Sequence, residues 1–256
     1  MKHADLIKQM TLEEKASLCD GLDYWHSQPI ERLGIKSIAL NDGPHGIRKK
    51  GDPGDTPKGE TNLLKGVPAI CFPTASATAC SWDTDLLYKM GQALADDCIE
   101  HDVDMLLGPG VNIKKNILCG RNFEYFSEDP YLSGKMAAAY IKGIQSNGVA
   151  ACPKHFAANS QELRRMSMDS VLDERTLREI YLTGFEMAVN EGGAKSIMSS
   201  YNMVNGTYAN ENVHLLTEIL REEWGFDGFV VTDWGADNNH TEGVKAGSNL
   251  VMPAPG

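Results

Sequence analysis

No apolar run in the 256-residue chain approaches the ~20 residues needed to cross a bilayer. The opening Met1-Lys2-His3-Ala4-Asp5-Leu6-Ile7 also lacks the apolar core of a secretion signal, so the expectation is a soluble cytoplasmic protein with no membrane partner. Basic residues are scarce: 24 Lys and Arg face 35 Asp and Glu, a formal charge of −11. That balance disfavours nucleic acid and suits a neutral or cationic ligand. The six cysteines, Cys19, Cys71, Cys80, Cys98, Cys119 and Cys152, show neither a Cys-x-x-Cys pair nor ligand-like spacing. They read as free thiols, without a disulfide framework or a metal site. Gly-x-Gly-x-x-Gly and the P-loop pattern are both missing, which removes the two nucleotide fingerprints, and no cofactor is called for. Asn205-Gly206-Thr207 and Asn239-His240-Thr241 fit the glycosylation acceptor pattern, which carries no weight without a secretion signal.

What the chain does have is a set of apolar runs that stop on polar groups. Gly228-Phe229-Val230-Val231-Thr232-Asp233-Trp234-Gly235 has the β-favouring residues of a strand buried on both faces, then a carboxylate with an indole beside it. Asp233 either caps the next helix or stands at a strand end where chemistry is done. The pattern repeats: Ser37 to Asn41 leads into Asp42, Gly148 to Pro153 leads into Lys154-His155, and Ser196 to Ser200 leads into Tyr201-Asn202. Several strands delivering polar groups at one end, each followed by a helical pattern, describe the mouth of a parallel barrel better than scattered caps.

The remaining pattern agrees. Thr11-Leu12-Glu13-Glu14 is a capping box opening a short helix. Residues 49–65 form a polar Gly/Pro/Asp/Lys stretch expected as a surface loop, and 68–73 can hold a strand. Residues 83–100 place Leu87, Met90, Leu94 and Cys98 on one helical face, 103–107 read as a strand, and 112–130 as a long irregular loop of the functional kind. Helices over 131–145, from Asp173 to Gly192-Gly193, and over 215–223 alternate with strands at Val149, Ser196 and Phe229, and 247–252 reads as a last strand. About seven strands alternating with helices predict an α/β fold, a (β/α) TIM-like barrel one strand short of eight, as a single domain over residues 1–256.

Ordered motifs sharpen this. They are Asn41-Asp42-Gly43-Pro44-His45-Gly46-Ile47-Arg48, Phe72-Pro73-Thr74, Gly108-Pro109-Gly110-Val111-Asn112, Cys119-Gly120-Arg121-Asn122-Phe123-Glu124, Lys154-His155-Phe156-Ala157-Ala158-Asn159, Met198-Ser199-Ser200-Tyr201-Asn202 and Thr232-Asp233-Trp234. In sequence and order they resemble glycoside hydrolase family 3, β-glucosidase type. The resemblance implies retaining hydrolysis of terminal, non-reducing β-D-glycosides through a covalent glycosyl-enzyme on Asp233. It also implies that Asp42, Arg121, Lys154 and His155 hold the sugar hydroxyls, that Met198 and Tyr201 wall the site, and that Trp234 packs on the sugar. Arg121, Lys154 and His155 are expected to supply donors and a positive field that keeps Asp42 and Asp233 ionised. From the residues alone, Arg121 could simply pair with Glu124 or Glu128, and Lys154 could be a Schiff-base lysine.

A retaining glycosidase needs a second carboxyl group about 5 Å from the first. In large members of the family it comes from a C-terminal α/β domain, and nothing resembling that domain follows the barrel motifs here. The single-domain N-acetylglucosaminidase branch uses a loop histidine instead, and residues 157–165 contain none; Glu162 is the nearby carboxyl. The expectation is a catalytic barrel impaired by a missing acid/base domain. The alternatives are a non-catalytic sugar-binding barrel fragment and a β-N-acetylglucosaminidase or β-xylosidase type of relative.

Overall fold

The computed structural model of the chain describes residues 3–49 and 66–254, so the expected polar loop lies, except for Lys49, outside the described residues. Eight short strands occur among the described residues: β1 (Leu40–Asp42), β2 (Met105–Leu107), β3 (Ala150–Ala151), β4 (Asp169–Ser170), β5 (Ser196–Ser199), β6 (Met203–Val204), β7 (Thr207–Tyr208) and β8 (Phe229–Thr232). β1, β2 and β3 run parallel in that order, with Asp42 level with Leu107 and Leu106 with Ala151. β5 and β8 form a second parallel pair, Ser199 level with Thr232. Isolated bridges extend both sets. Phe156 pairs with Ser199, Leu250 with Val231, Val251 with Asp20, and His26 with Ala39.

The expected fold class holds at the level of an α/β protein with parallel strands, but no sheet is closed among the described residues. Two expected strands are corrected. Residues 68–73 form none, because among the described residues the exposed stretch between Pro68 and Pro73 lies along no neighbouring strand; the N–H of Phe72 bonds the carbonyl of His45. Residues 247–252 make only the two single bridges. A small sheet was missed: β6 and β7 form a hairpin whose turn, Asn205-Gly206, has positive φ at both residues, and β4 joins it. Asn-Gly is the residue pair such a turn favours.

The helices pack on the outside. α1 (Ala4–Gln9) and α2 (Leu12–Ser17) open the chain, and Thr11 and Glu14 make the expected capping box. α3 (Ala75–Ala79) precedes α4 (Thr84–Glu100), which Asp83 caps and which buries Leu87, Met90, Leu94 and Cys98. α5 (Pro130–Ser146) starts on an Asp129 cap with Pro130 in its first turn. It crosses α4 where both helices carry glycine. A Cβ on Gly91 would stand 2.4 Å from the Tyr140 carbonyl oxygen, and one on Gly143 would stand 2.1 Å from that of Tyr88. The helix expected after Asp173 begins as α6 (Glu174–Thr176), widens to π geometry over Leu177–Leu182, and ends as α7 (Thr183–Asn190). His214–Glu223 is a π-type helix, and α8 (His240–Ala246) is the last. Phe185 of α7 meets Phe156 edge to face, with ring centroids 5.3 Å apart, so the helical layer braces the segment just beyond β3. No described helix is long and apolar enough to cross a membrane.

Candidate active site

Asp42 ends β1, Lys154 and His155 follow β3, Tyr201 follows β5 and Asp233 follows β8. Because the strands are parallel, these side chains meet at one edge. A cleft of about 210 Å³ there is lined by Asp42, Arg121, Lys154, His155, Met198, Tyr201, Asp233 and Trp234, and by Tyr24, Trp25, Arg48 and Arg165. Every residue expected in the site therefore shares one pocket.

Backbone bonds fix the Lys154-His155 segment. The Asn112 side chain donates to the His155 carbonyl at 2.9 Å and accepts from the His155 N–H at 2.7 Å, while Val111 N–H bonds the Lys154 carbonyl at 2.7 Å. Lys154 is buried, and its Nζ donates to Asp42 Oδ1 at 2.8 Å and lies 4.0 Å from Glu124 Oε2. Burial works against the lysine charge, but Asp42 and Glu124 outweigh it and hold the ammonium above its ordinary pKa. This charge-paired ammonium is the opposite of a Schiff-base lysine, which needs a depressed pKa. Asp42 is likewise opposed by burial but held below the usual carboxylate range by Lys154, with Arg48 adding to the effect.

Arg121 pairs with the buried Glu124, as one reading of the sequence had it, and still reaches the cleft. Its Nη2 lies 3.4 Å from His155 Nε2. A guanidinium only donates, so Nε2 is the acceptor and Nδ1 carries the proton toward the Tyr125 hydroxyl at 3.0 Å. Burial, then Arg165, Lys154 and Arg121, pushes the His155 pKa well below its ordinary value. The expectation that His155 adds to the positive field is corrected: the ring is neutral.

Asp233 departs from expectation in the same way. Burial raises its pKa, and Arg165, Lys154, the Trp234 N–H and Arg121 only partly offset that, so the surrounding charge does not hold it in the ordinary aspartate range. Its Oδ1 accepts from the Trp234 N–H at 2.8 Å and its Oδ2 from Arg165 Nη2 at 3.0 Å. Tyr201 donates its hydroxyl to the Trp234 carbonyl at 2.6 Å. The Trp234 ring packs 5.2 Å from Trp25, and its Nε1 bonds the Tyr24 carbonyl at 2.9 Å, so three aromatics line one side of the cleft. Met198 is buried in the cleft floor.

Arg165, Tyr24 and Trp25 were missed from the sequence. Arg165 lies next to Arg164, which has the same chemistry but is exposed, and nothing local separates the two. Glu162, the candidate loop carboxyl, has a half-exposed side chain 3.8 Å from Arg165 and does not line the cleft. Among the described residues, no cluster of His, Cys, Asp or Glu could hold a metal, and the six cysteines are free.

Comparison with known proteins agrees with this geometry. The family model described as Glycosyl hydrolase family 3 N terminal domain matches residues 54–253. The thermostable beta-glucosidase B of Acetivibrio thermocellus is 57% identical over 97% of this chain and 32% of its own length. An exo-alpha-(1->6)-L-arabinopyranosidase of Bifidobacterium longum is 50% identical over 96% of the chain and 32% of its own. The solved beta-glucosidase 3B of Thermotoga neapolitana in complex with alpha-D-glucose superposes with a TM-score of 0.91 at 43% identity, covering 99% of this chain and 36% of that one. The chain thus spans about a third of the length of the curated relatives it matches.

Proposed function

The chain belongs to glycosyl hydrolase family 3, and from that premise we propose that its cleft carries out retaining hydrolysis of terminal, non-reducing β-D-glycosides through a covalent glycosyl-enzyme on Asp233. One observation carries the reading. A strand-end aspartate faces a pocket shared with the Asp42–Lys154 ion pair, Arg121 and His155. A lone pair of the Asp233 carboxylate forms a bond to the anomeric carbon as the glycosidic bond breaks, and that bond's electrons leave on the aglycone oxygen. Asp42 accepts from sugar hydroxyls and Lys154 and Arg121 donate to them, contacts that tighten as charge develops on the ring. Parallel strands with the pocket at their carboxyl ends support a (β/α) barrel as the framework.

The carboxylates that line the cleft among the described residues are Asp42 and Asp233. Asp42 is held ionised by Lys154 and is a poor proton donor. The proposal is therefore a catalytic region that turns over activated aryl glycosides and is impaired on disaccharides, with the acid/base group supplied from a C-terminal α/β domain. Two relatives widen the sugar to be assayed: their names record action on a β-glucoside and on an α-L-arabinopyranoside, which present the same equatorial anomeric bond.

A 2-deoxy-2-fluoro β-glucoside with a good leaving group tests the reading by intact mass and peptide mapping. A covalent adduct on Asp233, absent from Asp233→Ala, is expected. Saturable protection without any adduct would instead identify a sugar-binding module.

A further inference from the structure

Asp233 has one charged donor among the described residues, and it is not a residue of the expected sugar-binding set. Lys154 bonds Asp42. Arg121 bonds Glu124. His155 Nε2 lies 3.6 Å from Asp233 Oδ2 but carries no proton. Arg165 remains, with Nη2 at 3.0 Å from Oδ2.

The guanidinium is itself held from two further directions. It lies over the Tyr201 ring, 4.7 Å from the centroid, its Nε donates to Asn159 Oδ1 at 3.3 Å, and its side chain is only 10% exposed. Tyr201 in turn bonds the carbonyl of Trp234, whose N–H holds the other oxygen of Asp233. The contacts close a ring from Asp233 through Arg165, Tyr201 and Trp234 back to Asp233, so both carboxylate oxygens are fixed and the plane of the group is set before any substrate arrives.

Resting on the reading of Asp233 as nucleophile, we propose that Arg165 is its positioning residue: it orients the carboxylate through Oδ2 and neutralises the charge on it, without acting as a sugar ligand. Burial among Met198, Tyr201 and Trp234 works against the charge on this carboxylate, and the guanidinium at 3.0 Å opposes that burial. As the glycosyl bond forms, the negative charge leaves Asp233 with the aglycone. When water later attacks the anomeric carbon, its proton passes to the acid/base group or to solvent, the bonding pair of the ester returns to the carboxylate, and Arg165 again faces the negative charge. A planar fork suits this role better than an ammonium, because it keeps its bond direction while the charge comes and goes.

Two measurements on wild type, Arg165→Gln and Arg165→Lys test the proposal. The first is a pH titration of the Asp233 carboxyl by γ-13C aspartate NMR, assigned by its loss in Asp233→Asn. The expected midpoint in Arg165→Gln lies about one pH unit above wild type, with Arg165→Lys in between; an unchanged midpoint overturns the proposal. The second is the rate of covalent trapping by 2-deoxy-2-fluoro-β-glucosyl fluoride. A fall of about tenfold or more in the trapping rate constant at unchanged inhibitor affinity is expected in Arg165→Gln. A loss confined to affinity would make Arg165 a sugar ligand and overturn the proposal. Failure of the wild-type protein to label at all would remove the nucleophile reading instead, a result distinct from Arg165→Gln labelling at the wild-type rate. Should Arg165→Gln fail to fold, as read from its thermal melt, the Arg165→Lys midpoint decides: a value equal to wild type overturns the proposal, and a higher one supports it.

Discussion

Asp42 and Asp233 both line the cleft, each at the end of its own strand, and the two carboxylates are held in opposite ways. Asp42 has a side chain 31% exposed and an ammonium 2.8 Å away, and its pKa lies below the ordinary range. Asp233 has a side chain 12% exposed, one guanidinium at 3.0 Å and an aromatic wall beside it, and its pKa lies above the ordinary range. Burial raises both; the strength of the cationic contact decides the sign. Asp42 keeps a fixed charge, which suits its proposed role of bonding hydroxyl groups. Asp233 holds its charge less firmly, which suits the proposed nucleophile, whose charge is lost when it becomes an ester.

The comparison breaks most severely at Asp233. Asp233→Ala is expected to lower kcat on a dinitrophenyl β-glucoside by at least ~1,000-fold, read by steady-state kinetics. Asp42→Ala should act on the other side of the ledger. It removes the proposed sugar acceptor and leaves the buried Lys154, among the described residues, with Glu124 at 4.0 Å, so KM is expected to rise and stability to fall. Removing one partner of a buried ion pair costs ~3–5 kcal/mol, and the partial exposure of Asp42 reduces the expected loss to about 2 kcal/mol in urea unfolding. If the loss of turnover followed Asp42 and the loss of stability followed Asp233, the assignment of the two carboxylates would be reversed.

The pH dependence sharpens the contrast. Asp42 has a depressed folded-state pKa, so its stabilising effect is present above the pKa of an unfolded aspartate and is lost as pH falls through the folded value. Asp233 has a raised one, so the folded state binds its proton more tightly than the unfolded chain, and stability falls as pH climbs from the unfolded value through the folded one. Measured against Asp42→Asn and Asp233→Asn, the two stability differences should slope in opposite directions between about pH 3 and 6. Parallel slopes would show that one of the two environments is wrongly described. For the same reason the acid limb of trapping at Asp233 should lie above the ordinary aspartate range.

The positions of Asp42 and Asp233 were legible in the sequence, because both rest on a local signal: an apolar run, a polar stop, and a glycine or indole after it. The signal fails where a contact is made across the fold. Arg165 reaches Asp233 from 68 residues away, and no periodicity distinguishes it from Arg164. Tyr24 and Trp25 join Trp234 from the far end of the chain. Charge state was the other blind spot. Counting Arg121, Lys154 and His155 as a positive field ignored that burial neutralises the imidazole, and Glu124 takes up Arg121 as the alternative reading had it. In the fold, the strand expected between Pro68 and Pro73 had suitable side chains but no parallel neighbour among the described residues. The Asn205-Gly206 hairpin was readable as a turn and was weighed only as part of a glycosylation pattern.

The smallest expected effect lies beside Arg165. Glu162 sits three residues before Arg165 on the same loop and is the carboxyl that sequence reasoning could nominate as acid/base. Its side chain is 52% exposed, its carboxylate is 3.8 Å from the Arg165 Nε, beyond a hydrogen bond, and it does not line the cleft. Exposed ion pairs of this kind are worth about 0–1 kcal/mol, and Arg165 keeps its bonds to Asp233 and Asn159 without it. Glu162→Gln should therefore change kcat/KM on aryl glucosides by less than about twofold. An acid/base role predicts something different: a deep loss on substrates whose leaving group needs a proton and little loss on dinitrophenyl glucoside. Comparing the two substrate types in this one variant separates a half-exposed neighbour of the arginine from a proton donor that swings into the cleft.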